Sequence, residues 1–273
     1  MRTFRVGEAV IGGPGLFVIA GPCVVESAEL CLRVAEQLKR ICDARGVPYV
    51  FKASYAKANR SSHRSFSGPG MAEGLGVLAR VRREVGVPVL SDVHEVAEVA
   101  AAAEVADVLQ IPAFLSRQTA LLEACARSGR AVNVKKGQFL APDDMRQAAE
   151  KVTAAGGERL MLTERGTTFG HHDLVVDMRG LVIMKELGWP VVYDATHSLQ
   201  RPGGVETGGD RRFARPLMRA ALACGADGLF FEAHPDPARA PSDAATQLPL
   251  AEAEAFVDEA VRIHDAAADR AHA

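Results

Sequence analysis

Residues 87–111 read VPVLSDVHEVAEVAAAAEVADVLQI. The stretch opens on an apolar run, Val87–Leu90, and turns polar at Ser91, Asp92 and His94. It continues as an alanine-rich helical segment over 95–104 and returns to an apolar run at Val108–Ile111. Two short apolar runs joined by a helix-length crossover make a βα unit, whose strands are parallel and buried on both faces. The pattern recurs. Further apolar runs lie at Leu16–Ala20, Pro48–Phe51, Ala131–Val134, Arg159–Leu162, Val191–Tyr193 and Leu229–Phe231. Helical segments follow near 27–45, 71–85, 117–128, 143–155, 178–188, 212–224 and 249–268. Gly46-Val47-Pro48, Gly86-Val87-Pro88 and Gly188-Trp189-Pro190 punctuate the helix-to-strand returns, as helix C-caps do. Eight such units predict an α/β fold of the (β/α)8, or TIM barrel, type over residues 1–273 as one domain. Phe4–Ile11 alternates and ends in Gly-Gly-Pro-Gly, which predicts a short β-hairpin under the barrel. The rival is a doubly wound open sheet. No GxGxxG follows the first strand, which counts against its dinucleotide-binding version.

Composition limits the function classes. The chain has 273 residues, 48% hydrophobic and 24% charged, with a formal net charge of -2. Near-balanced charge gives no reason to expect nucleic acid as a partner. No apolar run reaches the ~18 residues of a membrane span. Ile19-Ala20-Gly21-Pro22-Cys23 faintly resembles a lipoprotein cleavage box, but Pro22 and the glycines upstream argue against a targeting signal. The cysteines Cys23, Cys31, Cys42, Cys125 and Cys224 are scattered and odd in number, which suits a reduced, cytoplasmic protein.

In a barrel of this kind the C-terminal ends of the strands converge on the active site. These ends carry Cys23; Lys52 and Ser54; Asp92 and His94; Gln110; Lys135 and Lys136; Glu164 and Arg165; Asp194 and His197; Glu232 and His234. A purely structural barrel has no need of ionisable or hydrogen-bonding groups at all its strand ends, so the pattern predicts an enzyme. Local charge points the same way. From Ala44 to Ala72 the chain contains no acid, yet residues 52–66, KASYAKANRSSHRSF, carry Lys52, Lys57, Arg60 and Arg64. Arg64 reads as a solvated surface charge, but Lys52, Lys57 and Arg60, with Arg117, Lys135, Lys136 and Arg165, imply substrates bearing several negative charges. A second constellation, Cys23, His197, Glu232 and Asp243, has the donor types of a borderline divalent metal, and strands 1, 7 and 8 adjoin once a barrel closes. Each member also has a structural reading: cysteine as a small buried hydrophobe, Asp243 as a cap after Pro241-Ser242. The Gly-rich stretch 202–210 after the seventh strand suits a mobile lid or a plain surface loop.

At these residues the chain resembles the 3-deoxy-D-manno-octulosonate 8-phosphate synthase family over essentially its whole length. The motifs are IAGPCVVES at 19–27, FKASYAKANRSS at 51–62, SDVHE at 91–95, QIPAFLSRQT at 110–119, NVKKGQF at 133–139, LTERGTTFG at 162–170, YDATHSLQ at 193–200 and FFEAHPDP at 230–237. The resemblance implies a TIM barrel, usually a homotetramer, that condenses phosphoenolpyruvate with arabinose 5-phosphate on the route to lipopolysaccharide. It implies that Lys52, Ser54, Lys57, Gln110, Lys135 and Arg165 hold phosphoenolpyruvate. Asn59, Arg60 and Ser61 would hold the sugar phosphate, with Arg117 reaching from a neighbouring subunit. The cysteine of the GPC motif marks the family's metal-dependent class, which makes Cys23, His197, Glu232 and Asp243 ligands of zinc, iron, manganese or cobalt. The implied catalytic group is Lys52, Lys57, Asp243, His197 and Cys23, with Asp243 or a water held by the metal as candidate for proton transfer. The loop after strand 7 is shorter here than in the family, so its lid details do not carry over. The main alternative is the sister 3-deoxy-D-arabino-heptulosonate 7-phosphate synthase, which acts on erythrose 4-phosphate and has a Lys-Pro-Arg-Thr segment where this chain has KANRSS. Others are a sialic-acid-type synthase, a class II metal aldolase, and a catalytically dead sugar sensor.

Overall fold

A computed structural model describes residues 1–58, 66–169, 172–202 and 208–270. Eight parallel strands close a barrel: β1 (Phe17–Gly21), β2 (Tyr49–Lys52), β3 (Val89–Asp92), β4 (Val108–Ile111), β5 (Ala131–Lys135), β6 (Leu160–Glu164), β7 (Val191–Asp194) and β8 (Gly228–His234). Each pairs with the next in chain order, and β8 pairs with both β7 and β1 to complete the ring. The outer helices are α1 (Ala28–Asp43), α2 (Met71–Val85), α3 (Val96–Val105), α4 (Thr119–Arg127), α5 (Met145–Ala154), α6 (Arg179–Lys185), α7 (Ala214–Ala223) and α8 (Ala253–Arg270). Ser27 caps α1 by accepting the Leu30 N–H. Gly86 caps α2 in the left-handed backbone, whereas Gly46 and Gly188, also left-handed, lie two residues beyond the caps of α1 and α6, Ala44 and Glu186. The open-sheet alternative is thereby excluded.

The strands run further than their apolar patterns. β2 includes Lys52, β3 Asp92, β5 Lys135, β6 Glu164, β7 Asp194, and β8 runs through Glu232 to His234. The apolar run stops where the site begins, but the ladder of backbone hydrogen bonds is indifferent to side-chain polarity and continues.

Period-2 alternation divides the side chains between two cores. Val18, Phe51, Val89, Leu109, Val132, Leu162, Tyr193 and Phe231 face outward and pack in the main apolar cluster with the helices. Phe17, Ile19, Val50, Leu90, Val108, Ala131, Met161, Val192 and Phe230 form the cluster inside the barrel. The hairpin Phe4–Val6/Ala9–Ile11 adds Val6, Ala9 and Ile11 to that inner cluster, so it floors the barrel as its sequence suggests. A Cβ on Gly228 would stand 2.4 Å from the Phe17 ring. Gly228→Ala is therefore expected to destabilise the fold by roughly 1–3 kcal/mol through overpacking. Urea unfolding measures this, and an unchanged midpoint would refute the close packing.

Candidate active site

Above the apolar floor the barrel interior becomes polar. Lys52, Asp92, Gln110, Asn133, Lys135, Thr163, Asp194 and Glu232 are all buried there. Buried polar groups must find partners, and these form chains across the strands. Thr163 Oγ1 donates to Asn133 Oδ1 (2.7 Å), Asn133 Nδ2 to Gln110 Oε1 (2.8 Å), and Gln110 Nε2 to Asp92 Oδ1 (2.6 Å). Ser54 Oγ donates to the other Asp92 oxygen. This ladder fixes Gln110, whose amide could otherwise turn over.

Three lysines meet carboxylates from distant strands. Lys52 Nζ lies 2.5 Å from Glu232 Oε1 and 2.8 Å from the Cys23 carbonyl. Lys57 Nζ stands 4.0 Å from the same Glu232 oxygen. Lys135 pairs with Asp194 and lies 3.5 Å from the centroid of the Phe230 ring. Burial opposes the charge of Asp92, but Lys52 and Lys57 outweigh it and hold the carboxyl well below its ordinary range. Burial likewise opposes the charge of Asp194, and His197 and Lys135 hold it far down. Within the described part of the acid-free stretch, Lys52 and Lys57 are therefore not left to repel one another. They are balanced by Asp92 of β3 and Glu232 of β8, while Lys135 is balanced by Asp194 of β7.

At the β1–β8 side, one ligand atom each from Cys23, Glu232 and Asp243 lies within 4.8 Å of the others. Cys23 Sγ lies 3.0 Å from Asp243 Oδ2 and 3.0 Å from Ser242 Oγ. Burial, reinforced by Glu232, pushes the Cys23 thiol well above its ordinary value, so it is a neutral S–H donor in this arrangement. Asp243 occupies the left-handed region, φ 51°, uncommon outside glycine and most tolerated by Asp and Asn. Its oxygens are shared among Cys23, Ser242 and Gln200. Glu232 Oε2 is buried and has no hydrogen-bond partner among the described residues. His197 stands beside this trio rather than within it. Its Nδ1 is 2.8 Å from Asp194 Oδ2, and its Nε2 is 3.5 Å from Glu232 Oε1.

Arg165 is buried at the same mouth, where Nη2 donates to Gln200 Oε1 (2.6 Å) and Nη1 has no hydrogen-bond partner among the described residues. The neighbours Lys136 and Glu164 are 3.5 Å apart. Lys136 also donates to Thr167 Oγ1 (3.0 Å) and to the Leu140 carbonyl, tying the loops after β5 and β6 together. Arg117 is exposed on the loop after β4. Asn59, Arg60 and Ser61 lie outside the described residues, as does 203–207 within the glycine-rich loop, whose flanks Gln200–Arg201 and Gly208–Gly209 pair as short strands. Site residues that received no role in the sequence reading are Asp92, Asn133, Thr163, Asp194, Gln200 and Ser242. The signal for the first four was a polar residue at or near the end of an apolar strand. Gln200 and Ser242 had no such signal.

The sequence profile of the DAHP synthetase I family matches residues 4–267. The chain belongs to this family. It is similar to a protein of Magnetococcus marinus named 2-dehydro-3-deoxyphosphooctonate aldolase, 57% identical over 94% of this chain and 91% of that protein. Proteins with the same name from Trichlorobacter lovleyi and Koribacter versatilis are 55% and 51% identical. They cover 94% and 97% of this chain, and 95% and 97% of their own lengths. The barrel expected from the resemblance and the family found by comparison agree. Among the described residues, no helix is long and apolar enough to cross a membrane.

Proposed function

We propose that this protein condenses phosphoenolpyruvate with D-arabinose 5-phosphate and water, giving 3-deoxy-D-manno-octulosonate 8-phosphate and inorganic phosphate. The observation that carries this reading is the shared octonate name of relatives 51–57% identical over nearly the whole chain. The family description also admits the heptulosonate enzyme, but those relatives do not carry its name.

Lys52, Lys135 and Arg165 surround one buried mouth and suit the carboxylate and phosphate of phosphoenolpyruvate, with Lys57, Ser54 and Gln110 beside them. C3 of the enol forms a bond to the aldehyde carbon of the sugar, whose oxygen takes up a proton. Water adds at C2 and gives up a proton, and the C2–O bond to phosphate breaks. The cations stabilise negative charge on the departing phosphate, in a layer where water would otherwise weaken the interaction. Asp243, held as a carboxylate by His197 and Lys57 against the effect of burial, is the candidate to accept the proton that the adding water gives up.

A divalent metal fits Cys23, Glu232 and Asp243. They supply one thiol sulfur and two carboxylates, and the partnerless Glu232 Oε2 gives a further reason to expect a cation there. His197 suits a fourth ligand through Nε2, because Asp194 already holds Nδ1, an arrangement common behind metal-bound histidine. When bound, zinc, iron, manganese or cobalt would polarise the aldehyde.

Phe114, Phe139 and Phe169, on the loops after β4, β5 and β6, are 54%, 57% and 72% exposed. They support assembly with further copies of this chain, for which the family resemblance implies a homotetramer. The free cysteines support a cytoplasmic location.

The test is phosphate release from phosphoenolpyruvate with arabinose 5-phosphate or erythrose 4-phosphate, before and after chelation and metal add-back. Release with arabinose 5-phosphate alone, lost on chelation and restored by metal, is the expected result. Release that survives thorough chelation removes the metal from the reading. Preference for erythrose 4-phosphate replaces the acceptor.

A further inference from the structure

The two halves of the site meet at a single side chain. Gln200, half-buried just after β7, has its amide oxygen 2.6 Å from Arg165 Nη2 and its amide nitrogen 2.5 Å from Asp243 Oδ1. The chemistry of the partners dictates this orientation. A guanidinium only donates and a carboxylate only accepts, so a flipped amide would set NH2 against Arg165 and oxygen against Asp243. Each contact has a charged partner, which places it among the stronger hydrogen bonds.

Both neighbours have capacity to spare. Arg165 Nη1 is buried without a hydrogen-bond partner among the described residues. Asp243 gives Oδ1 to Gln200, while Oδ2 faces Cys23 and Ser242. An anion that engages Arg165 fixes the guanidinium plane. It thereby fixes the Gln200 amide and the Asp243 carboxylate behind it. A cation that takes up Asp243 with Cys23 and Glu232 orders the same chain from the other end.

We propose that Gln200 is a positioning residue that couples anion binding at Arg165 to divalent-metal binding at Asp243, so that each ligand raises the affinity for the other. The coupling rests on the reading of Arg165 as an anion holder and Asp243 as a metal ligand. Linkage requires the two effects to be equal in size.

The test uses metal-stripped full-length protein, with cobalt(II) and phosphoenolpyruvate as probes. The cobalt dissociation constant is measured with and without saturating phosphoenolpyruvate, and that of phosphoenolpyruvate with and without cobalt. Wild type is expected to show matched enhancements of at least about fivefold. Gln200→Met, of similar length but without either hydrogen bond, is expected to bind both ligands with an enhancement reduced about threefold or more, leaving only direct attraction between the charges. Gln200→Glu keeps an acceptor for Arg165 and sets a second carboxylate against Asp243. It should weaken phosphoenolpyruvate binding and tighten cobalt binding. A residue that only supported the fold would change both in the same direction.

Gln200→Met with both ligands bound and the wild-type enhancement intact would overturn the coupling alone. Wild type that binds phosphoenolpyruvate but no cobalt would overturn the metal reading, and the coupling with it.

Discussion

Cys23→Ala will leave the protein without tightly held divalent metal and will lower phosphate release at least about 100-fold, the upper end of what loss of a group behind a metal ligand produces. Cys23 is fully buried, with its sulfur 3.0 Å from the Asp243 carboxylate, and burial favours the neutral thiol. Only a strong positive charge makes the thiolate favourable there, and a metal supplies it by displacing the proton. Alanine keeps the small apolar volume and removes the donor, so the fold survives while the metal is lost. Metal content after dialysis, measured beside the rate of phosphate release, checks this. A Cys23→Ala protein with wild-type metal content and rate would show that the cysteine is a packing residue after all.

Lys135→Met should show two separable effects. Phosphoenolpyruvate turnover should fall about 100- to 1000-fold, the scale of losing one preorganised group opposite developing negative charge. Stability should fall by about 3 kcal/mol, because Asp194 is then a buried carboxylate without its lysine. His197 still contacts Asp194, which keeps the loss at the lower end of the usual range. Adding Asp194→Asn to Lys135→Met removes the uncompensated charge and should recover much of the stability without recovering activity. Chemical unfolding and steady-state kinetics on the two variants separate the effects. Equal stability of the single and double variants would show that the buried pair is not coupled.

These predictions concern contacts that differ in how visible they are along the chain. The barrel itself was legible. Val87–Leu90, the helical stretch 95–104 and Val108–Ile111 show one unit, and repetition supplies the rest. Hydrophobic periodicity is local, so a single sequence displays it. Strand ends were less legible, because Lys52, Lys135 and Glu232 interrupt the apolar pattern without interrupting the sheet. The residue types of the site were visible too: lysines after apolar runs, Cys23 in GPC, Glu232 in FFEAH.

Which charges meet was not visible. Lys52 and Glu232 are 180 positions apart, and Cys23 and Asp243 are 220 apart. No local pattern joins them. Only closure of β8 against β1 does so, and it is what brings Glu232 to Lys52 of the acid-free stretch. The same closure places His197 beside the Cys23–Glu232–Asp243 trio, and the turns after β7 and β8 set Gln200 between Arg165 and Asp243. The sequence by itself therefore determined the strands, the helices, the floor of the barrel and the chemical kinds of group at its mouth, since each follows from short-range periodicity and residue type. The tertiary structure alone decided the partners of those groups, because electrostatic and hydrogen-bond pairing depends on distance in space, which the barrel sets.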